Sequence, residues 1–517
     1  ALLKKFAGAG GMVIFAGQPD AVSGPAPAYV DGAASRECAD FAQDCYKAMG
    51  SAAKLVKAAE MSGRRVSIVD ENGHQIAPCL YQLREDKDAF YLYVCNTGQK
   101  DFGRTEGDSP VKDRTATFPY VCIDVFAEGK GQPLEVCPDT GNITAVGKST
   151  AVGWTIETCL PRLGSRLLVL PKMKASGTFA APRKLRDISR KKVNPARWAI
   201  QPSEDNVIVL DMPAWRIGSG KWQKPVEILK IDDAVRESLG VQKRGGRMTQ
   251  PWARPPVKNP RSTTVTLRYS FEADALPSGP MCLAIEMPQT FSADINGSQL
   301  NMDADCGWWV DKSLRRIPLD LSAIRLGTNV VTLICSYSEV HPGLEMVYLL
   351  GRFGAKVSGT RVTMTKMPDT LRLGDYGRQG LAFYSGNLTY ATKIRTQPRK
   401  GERLIVQVPK FEGTGVRVLV DGKPAGIIAW EPREVDITDF VTCDSATLGI
   451  EVIGHRRNSH GPLHTLPKEI FWFGPGEFRA KPFDRKVVYT KRQCYWSDDY
   501  VTVPVGLMQP PTLVTRK

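Results

Sequence analysis

Three histidines fall within ten positions near the end of the chain, at His455, His460 and His464, and the remaining sequence contains only two more. Imidazoles at such short spacing can share a zinc ion. No cysteine or carboxylate accompanies them, however, and Gly461-Pro462 argues against the helix that would align His460 with His464. Hydrogen bonding within a loop and contact with a sugar are the two other interpretations, and we expect no metal site here.

Carboxylates that could act as a catalytic pair are not apparent. Hydrolysis of a glycosidic bond normally needs two carboxyl groups about 5 to 9 Å apart. Glu286, Glu345 and Glu451 lie in segments that read as strands, where a structural role is usual. No run of alternating strands and helices is long enough for a (β/α)8 barrel, and no Gly-x-Ser-x-Gly elbow is present. The sequence therefore predicts no catalytic residue and no cofactor.

Tryptophans occur after glycine-containing turns in two parts of the chain, as Trp308-Trp309 and as Trp430. An exposed indole can stack on the C–H face of a sugar ring, whereas a buried one would close a hydrophobic core. Polar residues that could converge on a sugar are more numerous around Trp430. We expect carbohydrate to be bound by the following residues: Trp430, Tyr384, Asn387, Asn458 and His464.

The composition is that of a globular protein of three or four domains, with 517 residues, 42% of them hydrophobic and 24% charged. No stretch of about 18 apolar residues occurs, so we expect no membrane span. The 12 cysteines include no Cys-x-x-Cys pair. This spacing argues against a dense disulfide scaffold or a metal cluster, and we expect most of them to be buried thiols.

The net charge of +15 includes a concentrated basic run from Arg183 to Lys192. A solvated linker is one interpretation of this run. Attraction of an acidic polysaccharide by long-range steering is another. Because no helix-turn-helix, zinc-finger or RNA-binding signature accompanies the charge, we expect no nucleic-acid partner.

The periodicity of the first half changes near residue 63. Before it, Gly10 to Gly17 reads as a buried strand, and a helix begins after Ser35, which suits an N-cap. These few elements cannot form a domain alone, so we expect the chain to begin inside one. After residue 63, short alternating strands recur about every ten residues with turn residues between them, which is typical of an antiparallel sandwich.

The second half contains an internal repeat. Each copy has alternating strands around a hairpin turn, Asn296-Gly297 in the first and Asp421-Gly422 in the second. Each then continues with tryptophan, an Asp flanked by aliphatic residues, and another strand. Asn-Gly and Asp-Gly suit the positive backbone φ angles of tight hairpins. The repeat predicts two similar jelly-roll sandwiches in tandem.

This series of motifs resembles galactose-binding-like β-sandwiches, in particular the sugar-binding domain of glycoside hydrolase family 2. The segment Gln379 to Tyr390 resembles the first strand of that domain in bacterial hydrolases related to α-L-rhamnosidases and β-galactosidases, and Gly454 to His464 resembles the loop after its last core strand. More weakly, Gly10 to Gly17 resembles the end of an amidotransferase-like α/β domain.

The fold class we predict is mainly β, with tandem jelly-roll (galactose-binding-like) β-sandwiches and a small α/β remnant at the N-terminus. The expected domains are the following: the α/β remnant at 1–62, a small antiparallel sandwich at 63–175, a basic connector with a short strand and helix at 176–240, and two galactose-binding-like sandwiches at 241–357 and 358–517.

The resemblance implies a non-catalytic C-terminal part of a glycoside hydrolase, with the catalytic barrel upstream. Its partners would be an oligo- or polysaccharide and that upstream catalytic domain, and the family suggests a secreted or periplasmic location. Two alternatives stay open. One is a non-catalytic carbohydrate-binding or adhesion protein, and the other is an appendage of a carbohydrate esterase. Fold alone does not decide between them.

Overall fold

The computed structural model describes residues 2–9, 29–30, 33–40, 64–98, 116–138, 140–174, 179, 185–244, 256–395, 398–466 and 495–517. The expected strand at 10–17 lies outside these residues. The expected helix start is confirmed, because residues 36–40 are helical and the Ser35 hydroxyl accepts a hydrogen bond from the Cys38 amide at 3.3 Å. The chain divides into two compact units, 1–105 with 112–183 and 106–111 with 184–517.

The described elements of the first unit are as follows: α1 (Leu2–Gly8), β1 (Tyr29–Val30), β2 (Ala33–Ala34), β3 (Val66–Val69), β4 (Cys79–Glu85), β5 (Ala89–Asn96), β6 (Phe118–Phe126), β7 (Leu134–Val136), β8 (Ile143–Ala145), β9 (Lys148–Thr150), β10 (Gly153–Leu160) and β11 (Ser165–Pro171). Two antiparallel sheets, in the orders β3-β6-β10-β9 and β4-β5-β11-β7-β8, enclose one apolar core around Leu92, Ile123 and Trp154. Alternating side chains from both sheets fill it, as the two-residue periodicity predicts.

The second unit begins with these strands: β12 (Asp187–Lys192), β13 (Trp198–Pro202), β14 (Asn206–Leu210), β15 (Ala214–Ile217), β16 (Ser262–Ala273), β17 (Met281–Glu286), β18 (Phe291–Ile295), β19 (Ser298–Gln299), β20 (Trp308–Trp309), β21 (Asp311–Leu319), β22 (Gly327–Ser338), β23 (Val347–Gly351), β24 (Gly354–Ser358) and β25 (Arg361–Thr365). Helix α2 (Ile228–Ser238) lies between β15 and β16.

The remaining elements complete the second unit: β26 (Thr370–Leu371), β27 (Leu388–Arg395), β28 (Arg403–Gln407), β29 (Phe411–Glu412), β30 (Gly415–Val420), β31 (Lys423–Ile428), β32 (Glu434–Asp436), β33 (Ser445–Ile453), α3 (Arg457–His460), β34 (Thr465–Leu466), β35 (Tyr495–Trp496), β36 (Gly506–Leu507) and β37 (Thr512–Arg516). Short 3-10 helices occur at Pro288–Thr290, Leu321–Ala323, Tyr376–Gln379 and Thr438–Phe440.

Strands β14 to β25, residues 206–365, form what we term sandwich A. One sheet has the order β14-β23-β17-β21-β20, and the other has the order β19-β18-β22-β16-β25-β24 with β15 also paired to β16. Their facing residues form a single core that includes Leu283, Leu333 and Leu349. All described strand pairs are antiparallel except β16 with β25.

Sandwich B is built from residues 187–202 and 370–516. Its sheets have the orders β12-β37-β28-β32 and β26-β13-β27-β33-β30-β31, and they share a core that includes Trp198, Val418 and Ile450. Sandwich A is therefore inserted between two strands of sandwich B. The segment expected as a basic connector supplies strands to both sandwiches, and its charged run 187–192 is an exposed edge strand paired with β37.

The two hairpins predicted from the repeat are confirmed. Asn296-Gly297 joins β18 to β19, and Asp421-Gly422 joins β30 to β31. All four residues have positive φ, between 48° and 88°, which is the conformation that these dipeptides favour. Both turns follow an inner strand of a sheet, so they occupy comparable places in the two sandwiches. The prediction of a mainly β, multidomain sandwich fold is likewise confirmed.

Two further findings concern the described residues. Every cysteine among them is a free thiol. None of the helices in this part of the chain is both long and apolar enough to cross a membrane.

Candidate functional site

The loop after β33 fastens sandwich B to sandwich A. Arg456 forms a bidentate ion pair with Glu204, and one of its two hydrogen bonds measures 2.8 Å from Nη2 to Oε2. Glu204 belongs to the short link between β13 and β14, where the chain leaves sandwich B for sandwich A. Two parallel hydrogen bonds between a guanidinium and a carboxylate restrict the relative orientation of the two groups as well as their separation. The Arg456–Glu204 pair therefore holds the link in position.

Aromatic packing extends the same contact. The His460 ring stacks on Tyr348 with 5.3 Å between ring centroids, and its centroid is 5.4 Å from that of Trp309. The Arg456 guanidinium lies 5.8 Å from the Trp309 ring. Burial lowers the pKa of His460, and the neighbouring Arg456 charge lowers it further. The ring is consequently neutral at physiological pH and packs as an aromatic group.

His464 is buried in a second contact between the sandwiches. Its Nε2 lies 3.0 Å from Asp211 Oδ2, and its Nδ1 lies 3.0 Å from the backbone oxygen of Ser497. Asp211, at the end of β14, also accepts a 2.6 Å hydrogen bond from the Tyr500 hydroxyl. His464 and Asp211 are 3% and 1% exposed. Both nitrogens of the ring are thus committed to internal partners.

The three histidines do not converge. His460 packs on Tyr348, His464 bonds to Asp211, and His455 Nδ1 accepts from the Arg457 amide at 3.3 Å. Within the described ranges, no group of three or more His, Cys, Asp or Glu residues is arranged to hold a metal ion. Only His455 therefore forms a hydrogen bond within the loop, whereas His460 and His464 attach the loop to residues of sandwich A.

Two of the expected sugar-binding residues, Tyr384 and Asn387, lie together behind the β13–β14 link. The Tyr384 hydroxyl donates to the Asn387 carbonyl at 2.6 Å and accepts from the Ser203 amide at 2.9 Å. The Asn387 amide donates to Ser203 Oγ at 2.9 Å. Asn387 Nδ2 further donates to Glu451 Oε1 at 3.2 Å. These groups hold Ser203, and with it the neighbouring Glu204, in place.

The other expected residues are apart from this pair. Asn458 is fully buried and exchanges two hydrogen bonds with the backbone of Val503, at 2.8 and 2.9 Å. Trp430 lies just beyond β31 and is 50% exposed. The structure therefore places four of the five residues in internal networks and leaves only Trp430 with a large free surface. Carbohydrate binding by these five residues stays a prediction.

A cleft of about 810 Å³ lies where the two sandwiches meet. Its walls are formed by residues 200–206, by Trp309 and Arg316, and by residues 350–352 and 367–369. This volume falls in the range of ligand-binding pockets, about 300 to 1,000 Å³. The link fixed by Arg456, Tyr384 and Asn387 forms one wall, so the contacts described above determine the shape of the cleft.

Charged groups of both signs line the cleft. Burial raises the pKa of Asp205, Arg316 opposes that rise, and the adjacent Glu204 adds to it. Within the described part of the chain, no hydrogen bond or ion pair to the Asp205 carboxylate is found, whereas Glu204 is engaged by Arg456. Asp205 is therefore the carboxylate of this wall that has capacity for a ligand.

Two buried donors at the cleft wall have no partner among the described residues, namely Trp309 Nε1 and Arg316 Nε. Unsatisfied buried N–H groups are uncommon in folded proteins. The sequence carries only a weak signal for this site: sequence reasoning identifies Trp309 but misses Glu204, Asp205 and Arg316. The polar Ser203-Glu204-Asp205 segment directly before the buried strand β14 could have indicated Glu204 and Asp205, but it carries no information on Arg316.

No protein-family model matches the sequence, and no significant match is found among curated proteins. Solved structures do align with it. The rhamnosidase from Novosphingobium sp. PP1Y aligns over 93% of this chain and 29% of its own, with 12% identity and a TM-score of 0.40. A glycosyl hydrolase family 2 member from Bacteroides cellulosilyticus aligns over 48% of this chain and 32% of its own, with 10% identity and a TM-score of 0.17.

The Streptomyces avermitilis α-L-rhamnosidase, solved with L-rhamnose, aligns over 64% of this chain and 39% of its own, with 10% identity and a TM-score of 0.16. The chain thus spans well under half of the length of these three structures. The neighbours are rhamnosidases and family 2 glycoside hydrolases, but similarity at this level does not assign an activity to this chain.

Proposed function

We propose that this chain is a non-catalytic, ancillary part of a glycoside hydrolase and that it binds an oligo- or polysaccharide in the cleft between sandwiches A and B. The single observation that carries the proposal is the cleft itself, which has ligand-sized volume and a half-buried carboxylate, Asp205, that has no hydrogen-bond or ion-pair partner among the described residues. The sequence motifs at 379–390 and 454–464, which resemble those of family 2 sugar-binding domains, support the same class of ligand.

The chemistry of the cleft suits a polyhydroxylated ligand. A sugar presents neighbouring hydroxyls that donate to a carboxylate and accept from a guanidinium, and Asp205 and Arg316 offer one of each. Gln201 and Asp369 add an amide and a second carboxylate. Trp309 contributes an aromatic wall, although only 8% of its surface is exposed. Hydrogen bonding, rather than ring stacking, therefore supplies most of the recognition in this proposal.

Tyr384 and Asn387 then take a positioning role instead of touching the sugar. Both hold Ser203, the residue that precedes the two carboxylates of the link. Asn458 holds the loop after β33 to the backbone of Val503, and His464 connects the same loop to Asp211. Trp430 is not part of the cleft wall. A Trp430→Ala variant therefore tests the alternative that the sugar binds at the β31 hairpin.

The experiment is isothermal titration calorimetry of the full chain with rhamnose- and galactose-containing oligosaccharides, supported by a glycan array. Asp205→Asn should weaken binding at least about tenfold, because a carboxylate that accepts two hydroxyl bonds is replaced by an amide. The matched control is Asp444→Asn, which alters an exposed carboxylate outside the cleft and should bind like the parent.

Two results would overturn the proposal. Binding that survives Asp205→Asn and Arg316→Gln but is lost in Trp430→Ala would move the site to the β31 hairpin. Turnover of aryl α-L-rhamnosides or β-galactosides by the purified chain would contradict the non-catalytic role.

A further inference from the structure

Two thiols of sandwich A lie side by side although they are far apart in the sequence. Cys282 is the second residue of β17, and Cys306 precedes β20. Their sulfur atoms are 3.9 Å apart. Both residues flank the same strand, since Cys282 is paired with Pro318 of β21 and the Cys306 amide donates to the Arg316 carbonyl at 3.0 Å. Strand β21 therefore holds the two cysteines in register.

We propose that Cys282 and Cys306 are a disulfide-forming pair, oxidised by thiol–disulfide exchange with a low-molecular-mass disulfide of the oxidised-glutathione class. The Cys306 thiolate attacks one sulfur of the oxidant, which gives a mixed disulfide and releases one thiol. The Cys282 thiolate then attacks the Cys306 sulfur and expels the second thiol. Two cysteine thiols are oxidised, one external disulfide is reduced, and the two protons end on the two released thiols.

The surroundings assign the order of the two steps. Cys306 is exposed and can be reached by an oxidant, whereas Cys282 is half-buried. Burial raises the pKa of the Cys282 thiol to about 11, and the neighbouring Cys306 adds to this. A thiol with so little thiolate is a poor first nucleophile. Held beside a mixed disulfide on Cys306, however, it reacts within the same molecule.

The geometry of the pair permits the bond. A disulfide needs the sulfurs at about 2.05 Å, so they must approach from 3.9 Å. Cys306 lies outside the regular strands and precedes Gly307, whose φ is +114°. Closing this gap requires rotation of the Cys306 side chain, which gives up the 3.2 Å hydrogen bond from its Sγ to the Arg316 carbonyl, and it leaves the pairing of β17 with β21 unchanged.

The bond would connect β17 to the segment that leads into Trp308-Trp309. Trp309 and Arg316 form part of the cleft wall, and the Arg316 side chain donates to the Cys306 carbonyl at 3.0 Å. Oxidation would thus stiffen that wall. The pairing of the cysteines does not depend on whether the cleft binds a glycan.

The test is peptide mapping of the folded full chain after incubation with oxidised glutathione and alkylation of the remaining thiols in denaturant. No Lys or Arg lies between Cys282 and Cys306, so trypsin leaves both in one peptide. Trypsin combined with a glutamate-specific protease cuts after Glu286 and Lys312, which separates the two cysteines from each other and from Cys335.

We expect a linked peptide pair that dithiothreitol releases. It should be absent in Cys306→Ser, where Cys282 becomes fully alkylated, and present in Cys159→Ser, which removes an exposed thiol of the first unit. The link should form at least about tenfold more slowly in urea-unfolded protein, since the fold supplies the proximity. Full alkylation of both cysteines, or glutathione retained on Cys306 with Cys282 free, would overturn the proposal.

Discussion

The substitution His464→Ala tests whether His464 stabilises the fold or contacts a ligand. In His464→Ala, the Asp211 carboxylate, 1% exposed, loses its contact at Oδ2 and, among the described residues, keeps the Tyr500 hydroxyl at Oδ1. An unsatisfied buried polar group costs about 1 to 3 kcal/mol, and more when it is charged. Because a carboxylate loses this partner while Tyr500 remains, we expect about 3 kcal/mol for this contribution.

Packing adds to the loss. The His464 ring stacks on Trp496 at 5.2 Å and lies 4.8 Å from the Tyr500 ring, so truncation to alanine leaves a cavity that costs about 1 kcal/mol more. The free energy of unfolding should therefore fall by about 4 kcal/mol in total. Urea denaturation followed by tryptophan fluorescence measures this change, and Trp496 itself reports on the site.

A double-mutant cycle with Asp211→Asn isolates the contact. The two residues touch, so their effects should be non-additive by at least about 1 kcal/mol. His464→Phe is the matched control for packing, since it keeps a ring but has no hydrogen-bonding nitrogen. If His464→Ala unfolds within about 0.5 kcal/mol of the parent and yet loses glycan binding, His464 is a ligand contact and our reasoning is wrong.

Two further predictions concern stability. Burial lowers the pKa of His341 to about 4. Between this value and about 6.5, the unfolded chain therefore binds a proton that the folded chain does not. The free energy of unfolding should consequently fall by about 2 to 3 kcal/mol as the pH is lowered from 6.5 toward 4. Urea midpoints should show a flatter pH dependence in His341→Gln, and an unchanged slope would contradict this. Gly422→Ala, at φ +79°, should cost about 1 kcal/mol in a thermal melt, whereas an unchanged melting temperature would refute the turn assignment.

Sequence patterns predicted the elements whose conformation depends on residues close together in the chain. The dipeptides Asn296-Gly297 and Asp421-Gly422 located both hairpins, because a tight turn is decided by the residues within it. The alternation in β5 and β6 located the first sandwich, since its strands have one buried face. Ser35 was identified as an N-cap for the same reason.

The features that sequence reasoning missed depend on distant partners. Residues 187–192 are exposed on every side chain and carry no alternation, so only pairing with β37 makes them a strand. The sequence places His464 in a local histidine cluster, whereas its partner is Asp211, the residue that follows β14 of sandwich A. The walls of the cleft come from separate segments of the chain. No short sequence pattern indicates that these segments lie together in the fold.

The insertion of sandwich A within sandwich B has a consequence for synthesis on the ribosome. Domains generally fold as units while the chain emerges from its N-terminal end. All strands of sandwich A have been synthesised by residue 365. Strand β13 gains its partners soon afterwards, in β26 and β27, whereas β12 must wait for β37, which ends at Arg516. For most of translation, β12 is therefore an unpaired strand. The charge-rich sequence of β12 suits that interval, because lysine and arginine on an open edge oppose pairing with other chains.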